Sequence, residues 1–159
     1  MNHIMNYMNA IDYLLQEHDS HRNLLNHIES NRPLYLQLRE ELIHHVNMEE
    51  AILYPNLLKL PELEAIVREA WEEHSLCMQL VQEMDDKSLS EEAWLAKFRT
   101  LKKLLIAHLE DEELKLFPKI KAMASEDFLF DVGEQMLVQK IHTSTKDIIY
   151  PDEPGSHKL

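Results

Sequence analysis

Two stretches of this chain place imidazole and carboxylate at the same spacing. His45-Val-Asn-Met-Glu49-Glu50-Ala-Ile-Leu53-Tyr54-Pro55 and His108-Leu-Glu-Asp-Glu112-Glu113-Leu-Lys-Leu116-Phe117-Pro118 share His, Glu, Glu, Leu and Pro, and an aromatic precedes each proline. Of the 10 histidines, only His45 and His108 are followed by glutamate four residues on. On a helix that spacing stacks the two side chains on one face. An imidazole nitrogen beside a carboxylate oxygen is a mixed donor set for a first-row metal. The alternative for one such pair is a surface ion pair; the shared continuation to proline argues against it for both. Glu41 and His44 form a Glu-x-x-His, but the ferritin-like di-iron bundles use that motif twice, and no second copy occurs.

Two more histidines fall at matching points. Gln16-Glu17-His18 and Glu72-Glu73-His74 each precede apolar residues, so the chain reads as one helix pair used twice. His18, His45, His74 and His108 then lie mid-stripe on four apolar helix faces. Burying four imidazoles and two carboxylates without partners costs roughly several kcal/mol each. A pair of metal ions satisfies all six. Two six-coordinate ions need about twelve bonds; four imidazoles and two bridging carboxylates give about eight, and a bridging oxide about two. About two positions remain for a small ligand. Coordination of that kind suits iron or manganese; zinc prefers four ligands.

The elements that must carry these residues are helical. One face runs Ile4, Tyr7, Ile11, Leu14, His18, His21, Leu25, Ile28. Asn31-Arg32-Pro33 breaks it, and Pro33 opens a second helix with Leu38, Leu42, His45, Glu49 and Ile52, predicted to close at Pro55. Pro61 opens a third, with Ile66 or Val67, Ala70, His74, Cys77 and Val81. Asp85-Asp86-Lys87-Ser88 reads as a turn, and Ser88 with Glu91 has capping-box spacing. The fourth face is Phe98, Leu101, Leu105, His108, Glu112 and Leu116, predicted to close at Pro118. This predicts an all-α, antiparallel up-down four-helix bundle over 1–124. A C-terminal extension over 125–159 holds a fifth, shorter helix containing Met136, Leu137 and Ile141, and a loose tail over 151–159.

Composition agrees and excludes. The chain has 159 residues, 45% hydrophobic, with two glycines, which disfavours a turn-rich β fold. Its net charge of −13 argues against nucleic acid and anionic membranes as partners. One cysteine, Cys77, excludes an intramolecular disulfide and a four-cysteine zinc site. No apolar run reaches membrane-span length, and the N-terminus has no signal-peptide pattern; a cytoplasmic location is the expectation.

The doubled His-x-x-x-Glu-Glu-x-x-x-x-Pro, over roughly Ile11 to Pro118, resembles the hemerythrin-like, or HHE cation-binding, domain family. That resemblance implies a four-helix bundle around a non-haem di-iron centre. By motif match the ligands are His18, His45, Glu49, His74, His108 and Glu112, with Glu49 and Glu112 bridging. The oxygen carriers of the family have His-x-x-x-His on the third helix; here Met78 follows His74 at that spacing. Their last helix has His-x-x-x-x-Asp, whereas His108 is followed by Glu112 at four and Glu113 at five. The pattern is closer to the branch with four histidines and two glutamates. That branch includes oxygen- and iron-responsive regulatory domains and iron–sulfur repair proteins. The repair proteins also share a cysteine-bearing N-terminal extension, for which the residues before the first helix offer no cysteine, so repair is the less expected role.

The resemblance therefore implies two iron ions, with manganese or zinc as alternatives, and a protein that binds or responds to oxygen, nitric oxide or peroxide, or handles iron. A sensing module is favoured over a turnover enzyme consuming peroxide or repairing iron centres, because no acid–base pair stands beyond the ligands. A metal-free helical interaction protein is the third reading. Phe128-Leu129-Phe130 is the expected contact for a protein partner or second copy, or a lid. Among the remaining side chains, His21 faces inward as a fifth ligand, a group orienting a carboxylate, or a core histidine. His44 is expected at the surface or behind a ligand, His27 at the surface or the bundle end, and His3, His142 and His157 outside the chemistry. Cys77, Met78, Tyr54 and Phe117 read as packing, with Cys77 a redox reporter only if the site makes reactive oxygen. Glu50 and Glu113 point off the ligand face and are expected to face solvent, with accepting a hydrogen bond from behind the ligands as the alternative.

Overall fold

The computed structural model describes residues 8–142. Ile4, Tyr7, His3, His157 and the tail 151–159, and the side chains of Ile141 and His142, lie outside the described residues. Helix α1 is Ala10–His27, with the Asn9 side chain accepting from the Asp12 N–H at 2.9 Å as its cap. Helix α2 begins at Leu34 behind Pro33, and a 3-10 turn at Pro61–Leu63 leads into α3, Glu64–Met84. Helix α4 starts at Glu91. Its cap is Ser90, which accepts from the Ala93 N–H at 3.1 Å, whereas Ser88 turns back to Asp86. The expected Ser88 cap is thus displaced by two residues.

The helices do not close at Pro55 and Pro118. Helix α2 runs Leu34–Met48, widens into a π-helical turn over Glu49–Leu53, and resumes over Tyr54–Leu57. Helix α4 does the same: Glu91–Asp111, a π turn over Glu112–Leu116, then Phe117–Met123. The Tyr54 N–H donates to the Glu49 carbonyl and the Phe117 N–H to the Glu112 carbonyl, each five residues back. Proline supplies no N–H, and its ring clashes with the carbonyl four residues earlier in a regular α-helix. Widening the preceding turn relieves that clash without ending the helix. The repeated Glu-to-Pro interval is therefore the span of a π turn that begins on a glutamate.

Helix α1 packs on α2 and α4, and α3 on α4 and α2, so short connections join neighbours into an antiparallel four-helix ring. A fifth helix, α5, Glu126–His142, lies against α1, α2 and the α2 π turn. The apolar core forms two clusters. One gathers Leu25, Leu38, Leu42, Val81, Phe98, Leu101 and Leu105. The other gathers Leu14, Leu53, Tyr54, Leu57, Val67, Phe117 and Ile120, and takes in Leu129, Val132 and Met136 of α5. Of the expected apolar triplet, Leu129 is buried and Phe128 packs at the cluster's edge; Phe130 faces outward. Gly133 sits where a Cβ would come within 2.5 Å of the Met8 carbonyl oxygen, which brings α5 close to the start of α1. No described helix is long and apolar enough to cross a membrane.

Candidate metal centre

Between the two apolar clusters lies a layer of buried polar side chains. His18, His45, Glu49, His74, His108 and Glu112 are all buried, with Glu49 at 0% exposure. Each helix of the four supplies one imidazole, and the carboxylates come from the first residues of the two π turns. The six donors form two overlapping groups. One is His18, His45, Glu49 and Glu112; the other is Glu49, His74, His108 and Glu112. Within each, one donor atom from every residue lies within 4.8 Å of the others. Donors about 2.1 Å from an ion sit up to about 4.2 Å apart across it, so each group has the span of a coordination shell. Glu49 and Glu112 belong to both.

The donor atoms converge. His45 Nε2 is 3.2 Å from Glu49 Oε1, His74 Nε2 2.9 Å from the same oxygen, and His18 Nε2 3.2 Å from Glu112 Oε1. His74 and His108 bring their Nε2 atoms to 3.1 Å, a separation that requires a proton or a cation between two nitrogen lone pairs. His18 Nε2, His45 Nε2, both Glu49 oxygens and Glu112 Oε1 have no protein hydrogen-bond partner. Buried polar atoms left so are costly, and a cation satisfies them together. The donor set fits a metal pair.

The opposite ring nitrogens are all engaged. His45 Nδ1–H donates to Glu17 on α1 at 2.8 Å, and His74 Nδ1–H to Glu50 on α2 at 2.9 Å. His108 donates likewise to Glu73 on α3, and His18 to Glu113 on α4, each at 2.8 Å. Every helix thus holds one inward imidazole and one carboxylate orienting the imidazole of a neighbour, in a closed circuit around the bundle. These bonds fix the tautomer that leaves each Nε2 lone pair facing inward. Two supports are themselves anchored: Arg22 grips Glu113 with two bonds of 2.9 and 2.8 Å, and Lys140 of α5 reaches Glu17 at 2.9 Å. Glu50 and Glu113 therefore take the second of their two expected roles, as acceptors behind the imidazoles, and do not face solvent; their side chains are 12% and 21% exposed. The sequence repeats these residues, Glu50 and Glu113 after Glu49 and Glu112, and Glu17 and Glu73 before His18 and His74, without showing which imidazole each one meets.

Tyr54 is a second correction. Its hydroxyl is 3.1 Å from His74 Nε2 and donates to Glu112 Oε2 at 3.1 Å, and its ring stacks on His74. Its repeat partner Phe117 stacks on His18 and brings no oxygen. His21 is buried, edge-on to His45, with its Nδ1 unpartnered. It belongs to neither donor group. Cys77, its counterpart on α3, is buried with its thiol pushed up to about 12 by burial and then by Glu73, which makes it a poor redox reporter.

Charge is shared across the layer. Burial opposes protonation of His45, but Glu49 and Glu17 outweigh it and raise the imidazole well above its ordinary value. Burial likewise opposes His74, yet the carboxylates of Glu49 and Glu50 facing its two ring nitrogens lift it to about 9. Burial works against ionised Glu49 too, and His45 and His74 hold it well below the carboxylate range. Tyr54 is raised well above a phenol's usual value by burial and then by Glu112 and Glu49. His21 is pushed down to about 3 by burial and then by His45.

A helical bundle whose buried layer offers paired imidazole and shared carboxylate donors is a cation-binding bundle. Residues 9–120 match the Hemerythrin HHE cation binding domain, and the chain belongs to that family. A crystal structure of a hemerythrin HHE cation-binding-domain-containing protein from Mycobacterium kansasii is similar in fold, with a TM-score of 0.69 at 24% identity over 83% of this chain and 85% of that one. No curated protein matches the sequence.

Proposed function

We propose that the chain is a non-haem di-iron protein that binds, and responds to, dioxygen, nitric oxide or peroxide. His18 and His45 would hold one ion, His74 and His108 the other, and Glu49 and Glu112 both. The observation that carries this reading is the sharing of Glu49 and Glu112 between two donor groups, with three of their four carboxylate oxygens lacking a protein partner. Such a centre supplies redox-active positions for a small ligand. The residues around it do the rest. The carboxylate circuit holds each imidazole in one tautomer, and the two apolar clusters exclude bulk water. The Tyr54 hydroxyl supplies one proton donor on the His74 and His108 side.

Metal content by mass spectrometry, on protein purified without chelator, together with an absorption spectrum in air, tests the reading. About two irons per chain are expected, with oxo-bridge bands in the near ultraviolet that vanish in a Glu49→Gln/Glu112→Gln variant. A folded chain that takes up no metal after anaerobic reconstitution with ferrous iron overturns it.

Tyr54 favours a second reading, turnover of peroxide. Its phenol hydroxyl, 3.1 Å from both His74 Nε2 and Glu112 Oε2, would be a proton donor to a peroxide held at the centre. Sustained peroxide consumption that falls in Tyr54→Phe while metal content holds would support the enzyme; a single stoichiometric reaction would support the binding module.

A further inference from the structure

We propose that the α3–α4 face carries a cation-capture site through which divalent metal reaches the buried centre, an inference that rests on the metal-centre reading above. Glu69 and Glu73 on α3 and Asp111 on α4 bring carboxylate oxygens within 4.8 Å of one another. Glu69 is exposed, and Glu73 and Asp111 are half-buried. A cavity of about 20 Å³ opens beside them, lined also by Ala70, Lys115 and Glu112. Glu112 is 1% exposed, belongs to both donor groups, and has its Oε1 unpartnered. The cavity is therefore lined both by carboxylates at the surface and by a residue of the buried centre. Its volume holds about one water-sized particle, which suits a partly dehydrated ion and no organic substrate. Carboxylate lining selects a hard cation.

The broken repeat singles out this face. The positions equivalent to Glu69, Ala70, Asp111 and Lys115 on α1 and α2 are Tyr13, Leu14, Met48 and Ile52, all in the apolar cluster that α5 joins. Of the three clustered carboxylates only Glu73 has an acidic equivalent, Glu17, and Lys140 covers it. A larger groove of about 470 Å³ does lie near Glu17, Glu40, Glu41 and His44, but none of the six donors lines it. On the α3–α4 face, Glu73 has one oxygen on His108, and Lys115 pairs with Asp111 at 3.3 Å from a largely exposed position. An arriving cation displaces that lysine.

The test is stopped-flow uptake of ferrous iron, under anaerobic conditions, by the full metal-free chain. Glu69→Gln/Asp111→Asn leaves every donor and every imidazole support intact. It is expected to slow uptake roughly ten-fold with the final stoichiometry unchanged, and Lys115→Gln to speed it. Glu40→Gln/Glu41→Gln removes the same charge from the other groove and is expected to leave the rate unchanged. Full loading at an unaltered rate in the first variant overturns the capture site alone. Equal slowing in both double variants also overturns it, because the whole acidic exterior then attracts the ion. Absence of uptake by any chain overturns the centre and the capture site together.

Discussion

His18, His45, His74 and His108 each spend the Nδ1 on a neighbouring helix and turn the Nε2 inward, so a proton and the proposed metal would compete for the same lone pair. The sign of the pH dependence follows. His74 is raised from 6.5 to about 9, so its stabilising interaction with Glu49 and Glu50 is complete below pH 6.5 and lost as pH rises through 9. His45 acts in the same direction. His21, lowered from 6.5 to about 3, stays neutral over that range and costs stability only as pH falls below 6.5. The metal-free chain should therefore lose a few kcal/mol between pH 6.5 and 9, read as a falling Tm after chelation; a flat profile contradicts it. Metal loading at neutral pH should release protons from His45 and His74, seen as an uptake enthalpy that tracks the buffer's ionisation enthalpy. The supports are testable singly. Glu50→Gln keeps a hydrogen-bond acceptor but removes the charge behind His74, and metal affinity should fall roughly 10- to 100-fold by chelator competition. Glu110→Gln, on the same bundle but behind no imidazole, should leave it unchanged.

The helices themselves were legible because their apolar residues recur at three and four, and the gathering of six histidine and glutamate side chains because a duplicated motif repeats its residue types as well as its period. The π turns were hidden: hydrophobic periodicity does not register one extra residue in a turn, and a proline reads as a stop. That single miss concealed Tyr54, whose inward direction depends on the added rotation after Glu49. The circuit of Glu17, Glu50, Glu73 and Glu113 was hidden for another reason. Each support lies on a different helix from its imidazole, so only the packed register joins them. The place of α5 was equally out of reach, since Leu129, Val132 and Met136 mark an apolar face without saying what it covers. Gly133 tells how tightly it docks. Gly133→Val would force its side chain into the backbone at Met8 and Asn9, separating α5 from α1. A loss of about 2 kcal/mol or more is expected, together with faster amide exchange in α5 than in α3; uniform exchange across the bundle would show that α5 is not held there.

Over the whole molecule, the polar layer divides one apolar core into two and crosses all four helices. Without a cation, nothing but protons reconciles the facing imidazoles and carboxylates, so the layer is the weak plane of the fold. The proposed metal pair would join the four helices at that plane, and a site built from all four helices would exist only in the folded state. Its stabilisation follows from mass action: free metal at a hundred times its dissociation constant adds about 2.7 kcal/mol. For a domain of this size that corresponds to a rise in Tm of roughly 5–10 °C. Glu49→Gln/Glu112→Gln separates this effect from ordinary packing. The variant keeps the shape of the layer and removes the carboxylates that face both donor groups, so its Tm should be the same with ferrous iron as with chelator. The native chain should show the full increment, and chelation should abolish it. An iron-dependent rise that survives in the variant would place the stabilising ions elsewhere on the acidic surface and separate the fold's stability from its buried donors.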